Sequence, residues 1–120
     1  MRAAGDIFEL RACAELERAG LKLLARNYNT RYGELDLVML DRVTVVFVEV
    51  RYRKHASHGS AAESVTPSKQ ARLIKAAQLW LAAHSKWGRS DCRFDVITYD
   101  GPASNARMMW LRGGFENQSA

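Results

Sequence analysis

Two carboxylates stand where the hydrophobic pattern asks for apolar side chains. Glu49 lies inside Val45-Val46-Phe47-Val48-Glu49-Val50, the most apolar run of the chain, and Asp36 lies inside Gly33-Glu34-Leu35-Asp36-Leu37-Val38-Met39-Leu40. An ionised side chain in such surroundings is expensive unless it is paired or held on a metal. Asp41-Arg42 between the two runs makes a tight turn, so the segment reads as a β-hairpin. Any register whose paired residue numbers sum to an odd value puts Asp36 and Glu49 on one face. A sum of 85 sets them directly opposite, with Cβ atoms roughly 5 Å apart. That separation suits two carboxylates sharing Mg²⁺ or Mn²⁺, which take hard oxygen ligands from one or two carboxylates plus waters and substrate phosphate. The competing reading is that both acids ion-pair with Arg31, Arg51 or Arg53 on a solvated face.

Arg51, Tyr52, Arg53 and Lys54 follow Glu49 at once. The strand period places Glu49, Arg51 and Arg53 on one face, so cations point at the same phosphate as the carboxylate. Arginine matches phosphate bidentately but stays protonated, and therefore stabilises charge without serving as a base. Lys69, Arg72 and Lys75 fall near the start of a second long helix, whose N-terminus favours anions. A solvated helix face is the ordinary alternative. From Arg51 to Lys75 there are six basic residues against the single acid Glu63, a local charge as large as the net +5 of the whole chain. That balance favours a polyanionic partner.

Of 120 residues, 48% are hydrophobic and 26% charged, which fits one folded domain and excludes wholesale disorder. Cys13 and Cys92 have no CxxC spacing and are expected to be reduced core thiols of a cytoplasmic protein. No apolar stretch approaches membrane-spanning length, and the first residues lack the apolar segment of a secretory signal. His55 and His58 have no further matching ligands nearby, and no glycine-rich phosphate loop is present.

The elements that must position these residues follow from periodicity. Residues 6–19 read as a helix with Phe8, Leu10, Ala12, Cys13, Ala14, Leu16 and Ala19 on one apolar arc, Glu9 near its centre and Gly20 closing it. Glu9 is thus a third acid in an apolar position. Leu21 to Tyr28 is a first strand, followed by the hairpin and a loop over 55–65. Thr66 caps and Pro67 opens a helix running to about His84, with Leu73, Ala77, Trp80 and Leu81 buried. Arg93 to Tyr99 is a strand ended by Asp100-Gly101-Pro102, Met108 to Leu111 a short last strand, and the tail after Gly113 is expected to be loose. The order αβββαβ, with a strand added, makes an α/β domain with a mixed sheet and helices on its faces.

Gly5 with Glu9, Asn27-Tyr28 then Arg31, Gly-Glu-Leu-Asp-Leu-Val from Gly33, Val-Phe-Val-Glu-Val-Arg-Tyr-Arg from Val46, Gly59, Lys69, Ala76-Ala77 and Arg93-Phe94-Asp95-Val96 together resemble the bacterial YraN family over nearly the whole chain. The resemblance implies a restriction-endonuclease-like fold related to the archaeal Holliday-junction resolvases, binding nucleic acid and cutting it with Mg²⁺. It makes Asp36 and Glu49 the metal ligands and Glu9 a third acid on the first helix. Arg51 stands where the superfamily pattern has lysine, and Lys69 is the substitute in this chain. The sequence therefore leads to a nucleic-acid-binding domain, with DNA as the first candidate partner and metal-dependent endonuclease activity as the sharper form. A non-catalytic nucleic-acid-binding module is the alternative. Arg31, Arg51, Arg53, Lys54, Lys69 and Arg72 are the expected strand contacts, and a paired active site would need a homodimer.

Overall fold

The computed structural model describes residues 4–55 and 61–115. Its helices and strands are α1 (Ala4–Arg18), β1 (Lys22–Thr30), β2 (Gly33–Asp41), β3 (Thr44–Arg53), α2 (Pro67–Ala83), β4 (Cys92–Asp100) and β5 (Arg107–Phe115). The strands form one sheet in the order β1-β2-β3-β4-β5, antiparallel except for the parallel pair β3–β4. A parallel step needs a crossover, and α2 lies within it. The chain is thus an α/β domain with a mixed sheet, as its periodicity predicts. Among the described residues no helix is long and apolar enough to cross a membrane.

The two helices take opposite faces of the sheet. Val46 and Val48 pack with Phe8, Ala12, Cys13 and Leu16 of α1, whereas Val45 and Phe47 pack with Leu73, Ile74, Ala77 and Trp80 of α2. β3 is buried on both sides, which is why its sequence is continuously apolar rather than alternating. α1 ends in a Schellman geometry: Gly20 has φ +102°, and Leu21 N–H donates to Leu16 C=O at 3.0 Å. Thr66 caps α2 as expected, its hydroxyl accepting from Lys69 N–H at 3.2 Å.

Several boundaries differ from the sequence reading. The hairpin turn is Arg42-Val43, one residue later than Asp41-Arg42, and Arg42 takes φ +59°. The buried stripe of α1 is narrower than the apolar arc: Leu10, Ala14 and Ala19 are exposed, because a helix laid on one sheet face covers only the residues beneath it. Cys13 is buried, but Cys92 at the start of β4 is exposed and is not a core thiol. His58 and Gly59 lie outside the described residues.

β5 is longer than the short strand expected, and it continues past Gly113 to the buried Phe115. Two glycines make this possible. Gly113 adopts φ +60° and gives its N–H to Asp95 Oδ1 at 3.0 Å, while a Cβ on Gly114 would meet Val96 Cγ2 at 3.0 Å. The β4–β5 register shifts at this point, between Phe94 and Val96. Asp95, fully buried, also accepts from Trp110 Nε1 at 3.0 Å and Arg93 Nε at 3.0 Å, and Arg93 reaches on to Asp41 at 2.8 Å. One carboxylate thereby ties β5 to β4 and, through Arg93, to the end of β2.

Asp95→Ala leaves an indole N–H, a backbone N–H and the Arg93 Nε without their acceptor, and among the described residues only Asp41 then holds the guanidinium. A loss of about 3–5 kcal/mol is expected in urea unfolding, the scale for breaking a buried charged pair from one side. A loss below about 1 kcal/mol would mean that this network does not hold the β4–β5 edge.

Candidate functional site

The β2–β3 ladder runs from Asp41 opposite Thr44 to Leu37 opposite Val48 and then stops. These pairs have the register that puts Asp36 opposite Glu49. Beyond them the strands part: residues 33–35 of β2 pair only with β1, and Glu49 to Arg53 of β3 pair only with β4. Asp36 sits at the fork. Its carboxylate, not its backbone, meets β3, with Oδ2 accepting from Val50 N–H at 2.9 Å. Across β1, Asn27 lies between the pairs Arg26–Leu37 and Tyr28–Leu35 with φ +51°. The pleat of β2 breaks here too, since Leu35 joins the α2-side core and Leu37 the α1-side core. Asparagine tolerates that left-handed conformation better than most residues.

The fork opens into a pocket of about 430 Å³ lined by Glu9, Glu34, Asp36, Glu49, Val50, Arg51, Tyr52 and Lys69. Glu9 comes from α1 and Lys69 from α2, so side chains from opposite faces of the sheet reach one cavity. Oxygens of Glu9, Glu34 and Asp36 all lie within 4.8 Å of one another. With its amide nitrogen turned toward the acids, Asn27 donates to Glu9 Oε1 at 2.7 Å and Glu34 Oε1 at 3.2 Å. Glu49, buried, receives Lys69 Nζ at 3.1 Å and an Arg51 guanidinium nitrogen at 3.5 Å on the same oxygen. Arg51 is held from its other side, Nε donating to Ser64 Oγ at 2.9 Å. Ser64 donates in turn to Ala61 C=O at 2.5 Å, and Ala61 N–H donates to Asp100 Oδ1 at 2.9 Å.

Burial, the charge of Glu49 and a hydrogen bond shared with Glu49 push the Asp36 carboxyl up to about 9; the Val50 N–H pulls the other way. Carboxylates this close hold either protons or a cation, and hard oxygens in this number fit a divalent ion of the Mg²⁺ or Mn²⁺ type.

All five residues read from the sequence as catalytic, Glu9, Asp36, Glu49, Arg51 and Lys69, line this one pocket. Arg72 lines a smaller adjoining cavity with Lys69, and Arg31 occupies the exposed β1–β2 turn. Arg53 and Lys54 are exposed at and beyond the end of β3, outside both sets of walls. Glu49 does ion-pair with Arg51, as the competing reading has it, but it does so while buried rather than on a solvated face. Glu34 and Asn27 were not singled out. The signal for Glu34 was its place two residues before Asp36, on the same side of a strand. Asn27 is marked only by the family motif that contains it, because a left-handed residue inside a strand is set by tertiary context. A further cavity of about 460 Å³ between α2 and the β4–β5 end has mainly apolar walls, including Phe47, Ile74, Leu81, Phe94 and Phe115. No carboxylate is among its described lining residues, so it offers no comparable chemistry.

The fold and site define an α/β domain that gathers carboxylates and basic residues where two neighbouring strands diverge. The family model of the Uncharacterised protein family UPF0102 matches residues 8–99, and the chain belongs to this family, the YraN family whose motifs the sequence resembles. A UPF0102 protein of Stutzerimonas stutzeri (strain A1501) is 51% identical over 97% of this chain and 97% of the relative. Those of Pseudomonas fluorescens and Ectopseudomonas mendocina are 51% and 47% identical, over 95% and 93% of this chain and 94% and 93% of their own lengths. The matched span contains every residue of the acidic pocket.

In the unfolded chain Asp36 titrates near pH 4, so between there and about 9 the folded protein holds a proton that the unfolded chain has released. Its contribution to stability is therefore fully present in acid and is lost as pH rises through that window. Asn mimics the protonated acid, accepting from Val50 and donating to Glu49. In a metal chelator, Asp36→Asn should match the parent's melting temperature near pH 4 and exceed it at pH 8. A gain of even ~1 kcal/mol corresponds to about 4 °C at this size. An unchanged pH profile would show that Asp36 is not the proton holder.

Proposed function

We propose that this chain is a restriction-endonuclease-like domain that binds DNA in the cytoplasm and hydrolyses its phosphodiesters with Mg²⁺ or Mn²⁺. One observation carries the reading: Glu9, Asp36, Glu49 and Lys69, drawn from α1, β2, β3 and α2, meet in a single open pocket at the fork between β2 and β3. Asp36 and Glu49 would hold the cation, with Glu9 as the third acid and Glu34 beside them. Bound there, a divalent ion stabilises charge on the phosphoryl oxygens and lowers the pKa of the attacking water.

The chain's own side chains supply the rest. Lys69, 3.1 Å from Glu49, would orient the attacking water. Arg51 takes the place of the superfamily's lysine but cannot shed a proton, and its bond to Ser64 anchors it to the turn before α2. Its work is to hold Glu49 and stabilise phosphate charge. Exposed Arg53, Lys54 and Arg72 add the sequence-independent attraction for a phosphate backbone. Paired incisions would take two copies of the chain. Arginine at position 51 also favours a second reading, a nucleic-acid-binding module that has kept the acids without turnover.

Cleavage of branched, flapped, single-stranded and duplex DNA with Mn²⁺ or Mg²⁺ decides between them. Single-turnover rates at saturating protein should fall about 10²–10³-fold in Lys69→Ala with little loss of binding. Asp36→Ala should abolish cutting, and Arg51→Lys should change the rate little. A large rate increase in Arg51→Lys would return the lysine role to position 51. No cleavage by the parent or by Arg51→Lys, with any divalent metal on any DNA or RNA, would leave the binding module.

A further inference from the structure

Cationic side chains from two distant parts of the chain converge on one tyrosine beside the acidic pocket. Tyr32 sits in the β1–β2 turn, which Thr30 fixes by accepting from Tyr32 N–H at 3.1 Å and donating to Gly33 C=O at 2.8 Å. Arg31 holds its guanidinium carbon 5.0 Å from the Tyr32 ring centre and donates to the phenol oxygen at 3.3 Å. Lys75, on the exposed side of α2, brings Nζ to 5.3 Å from the same ring. Arg72 lies one turn earlier on α2 and lines a cavity of about 90 Å³ with Tyr32, Gly33, Glu34, Lys69 and Leu73.

Three features say what this cluster takes. Cations gathered at one point repel each other, and an anion between them reverses the sign of the interaction. Since the Tyr32 oxygen already accepts from Arg31, its own proton is free to be donated elsewhere. The Arg31 hydrogen bond, then the charges of Arg31 and Lys75, hold that phenol below its ordinary pKa, the mark of a positive potential at the hydroxyl. The cavity, about 90 Å³, has the volume of about three waters, the scale of a phosphate group. Its one acidic wall residue among those described, Glu34, lies within 4.8 Å of the Glu9 and Asp36 oxygens and so belongs to the acidic pocket.

The two cavities share Glu34 and Lys69 in their walls. We propose that Tyr32, Arg31, Arg72 and Lys75 form a second phosphate subsite, which takes the phosphodiester next along the strand from the one at Asp36 and Glu49. The inference rests on the nucleic-acid reading above and adds where the strand runs: from the fork, across the start of α2, to the β1–β2 turn. Tyr32 donates a hydrogen bond to a phosphate oxygen, and the three cations supply charge.

Anisotropy of a fluorescein-labelled oligothymidylate in EDTA, titrated at several salt concentrations, tests this without any cleavage. Arg72→Gln and Lys75→Gln together should lower the salt slope by about 0.7, one phosphate contact on a single strand, each alone by less, and Arg72→Lys should keep the parent's slope. Tyr32→Phe keeps the ring and should weaken binding about tenfold, the loss of one hydrogen bond to a charged oxygen, with the slope unchanged. Combined with Lys75→Gln its effect should be less than multiplicative, because both act on one phosphate, whereas with Arg53→Gln the effects should multiply. Tyr32→Phe binding like the parent, or multiplying with Lys75→Gln, overturns the subsite while leaving the nucleic-acid reading intact. A parent protein that fails to bind the strand at low salt removes that reading, and the subsite with it. These side chains are at the surface, and matching thermal melts confirm that each variant is folded.

Discussion

A buried carboxylate must be neutralised, and Glu49 imposes that demand at the centre of the sheet. It is 4% exposed, on a central strand packed on both faces. Leaving its charge unpaired would cost several kcal/mol. The answer comes from two directions, Lys69 from the first turns of α2 and Arg51 from the same strand, both on one oxygen. Each of these cations has its own support. The Thr66 cap sets where α2 begins and hence where Lys69 projects, and Ser64 holds Arg51 from behind. The position of the α2 start, the turn before it and the end of β3 are thus settled together by one acid.

Asp36 adds a second demand that cations alone do not meet. It faces Glu49 across the fork, with Glu9 and Glu34 close by, and burial together with the charge of Glu49 pushes its carboxyl up to about 9. The strand geometry yields to the same crowding. The β2–β3 ladder ends one pair short of Asp36 and Glu49, a carboxylate replaces the backbone as acceptor for Val50 N–H, and Asn27 takes a left-handed turn inside β1. A continuous ladder would have sealed the pocket that both helices now reach. The irregularity is therefore what makes the site accessible, and it costs backbone hydrogen bonding at the acids.

Much of this was legible in the sequence because the signals were local. The apolar run around Glu49, the hairpin and the Thr66-Pro67 helix start depend on neighbouring residues, and the structure bears them out, whereas the turn lies one residue later than its sequence suggested and the register, left open by the sequence, is the one with Asp36 opposite Glu49. What escaped depends on contacts between distant segments. β5 carries Gly113 and Gly114, which weaken any strand signal; their role is to let the backbone meet Asp95 and Val96. Leu10 and Ala14 fit an apolar arc, yet the sheet covers only part of it. The acids of the pocket could be guessed from hydrophobic context, but their joining with Lys69 needed α2 to cross the sheet and bring its first turn back to β3. Asn27 stood out only through the family motif, since nothing local marks a left-handed residue inside a strand.

On the proposed reading, Asp36 and Glu49 are kept together for a cation. Titration calorimetry with Mn²⁺ on the parent, Asp36→Ala and Glu49→Ala addresses it without assuming a substrate. The parent should bind Mn²⁺ at one site with release of protons, since the cation displaces the one held on Asp36, and each single substitution should abolish that site. If both variants bind Mn²⁺ as the parent does, or if the parent binds none, the carboxylates are structural and the fork in the sheet is no metal site.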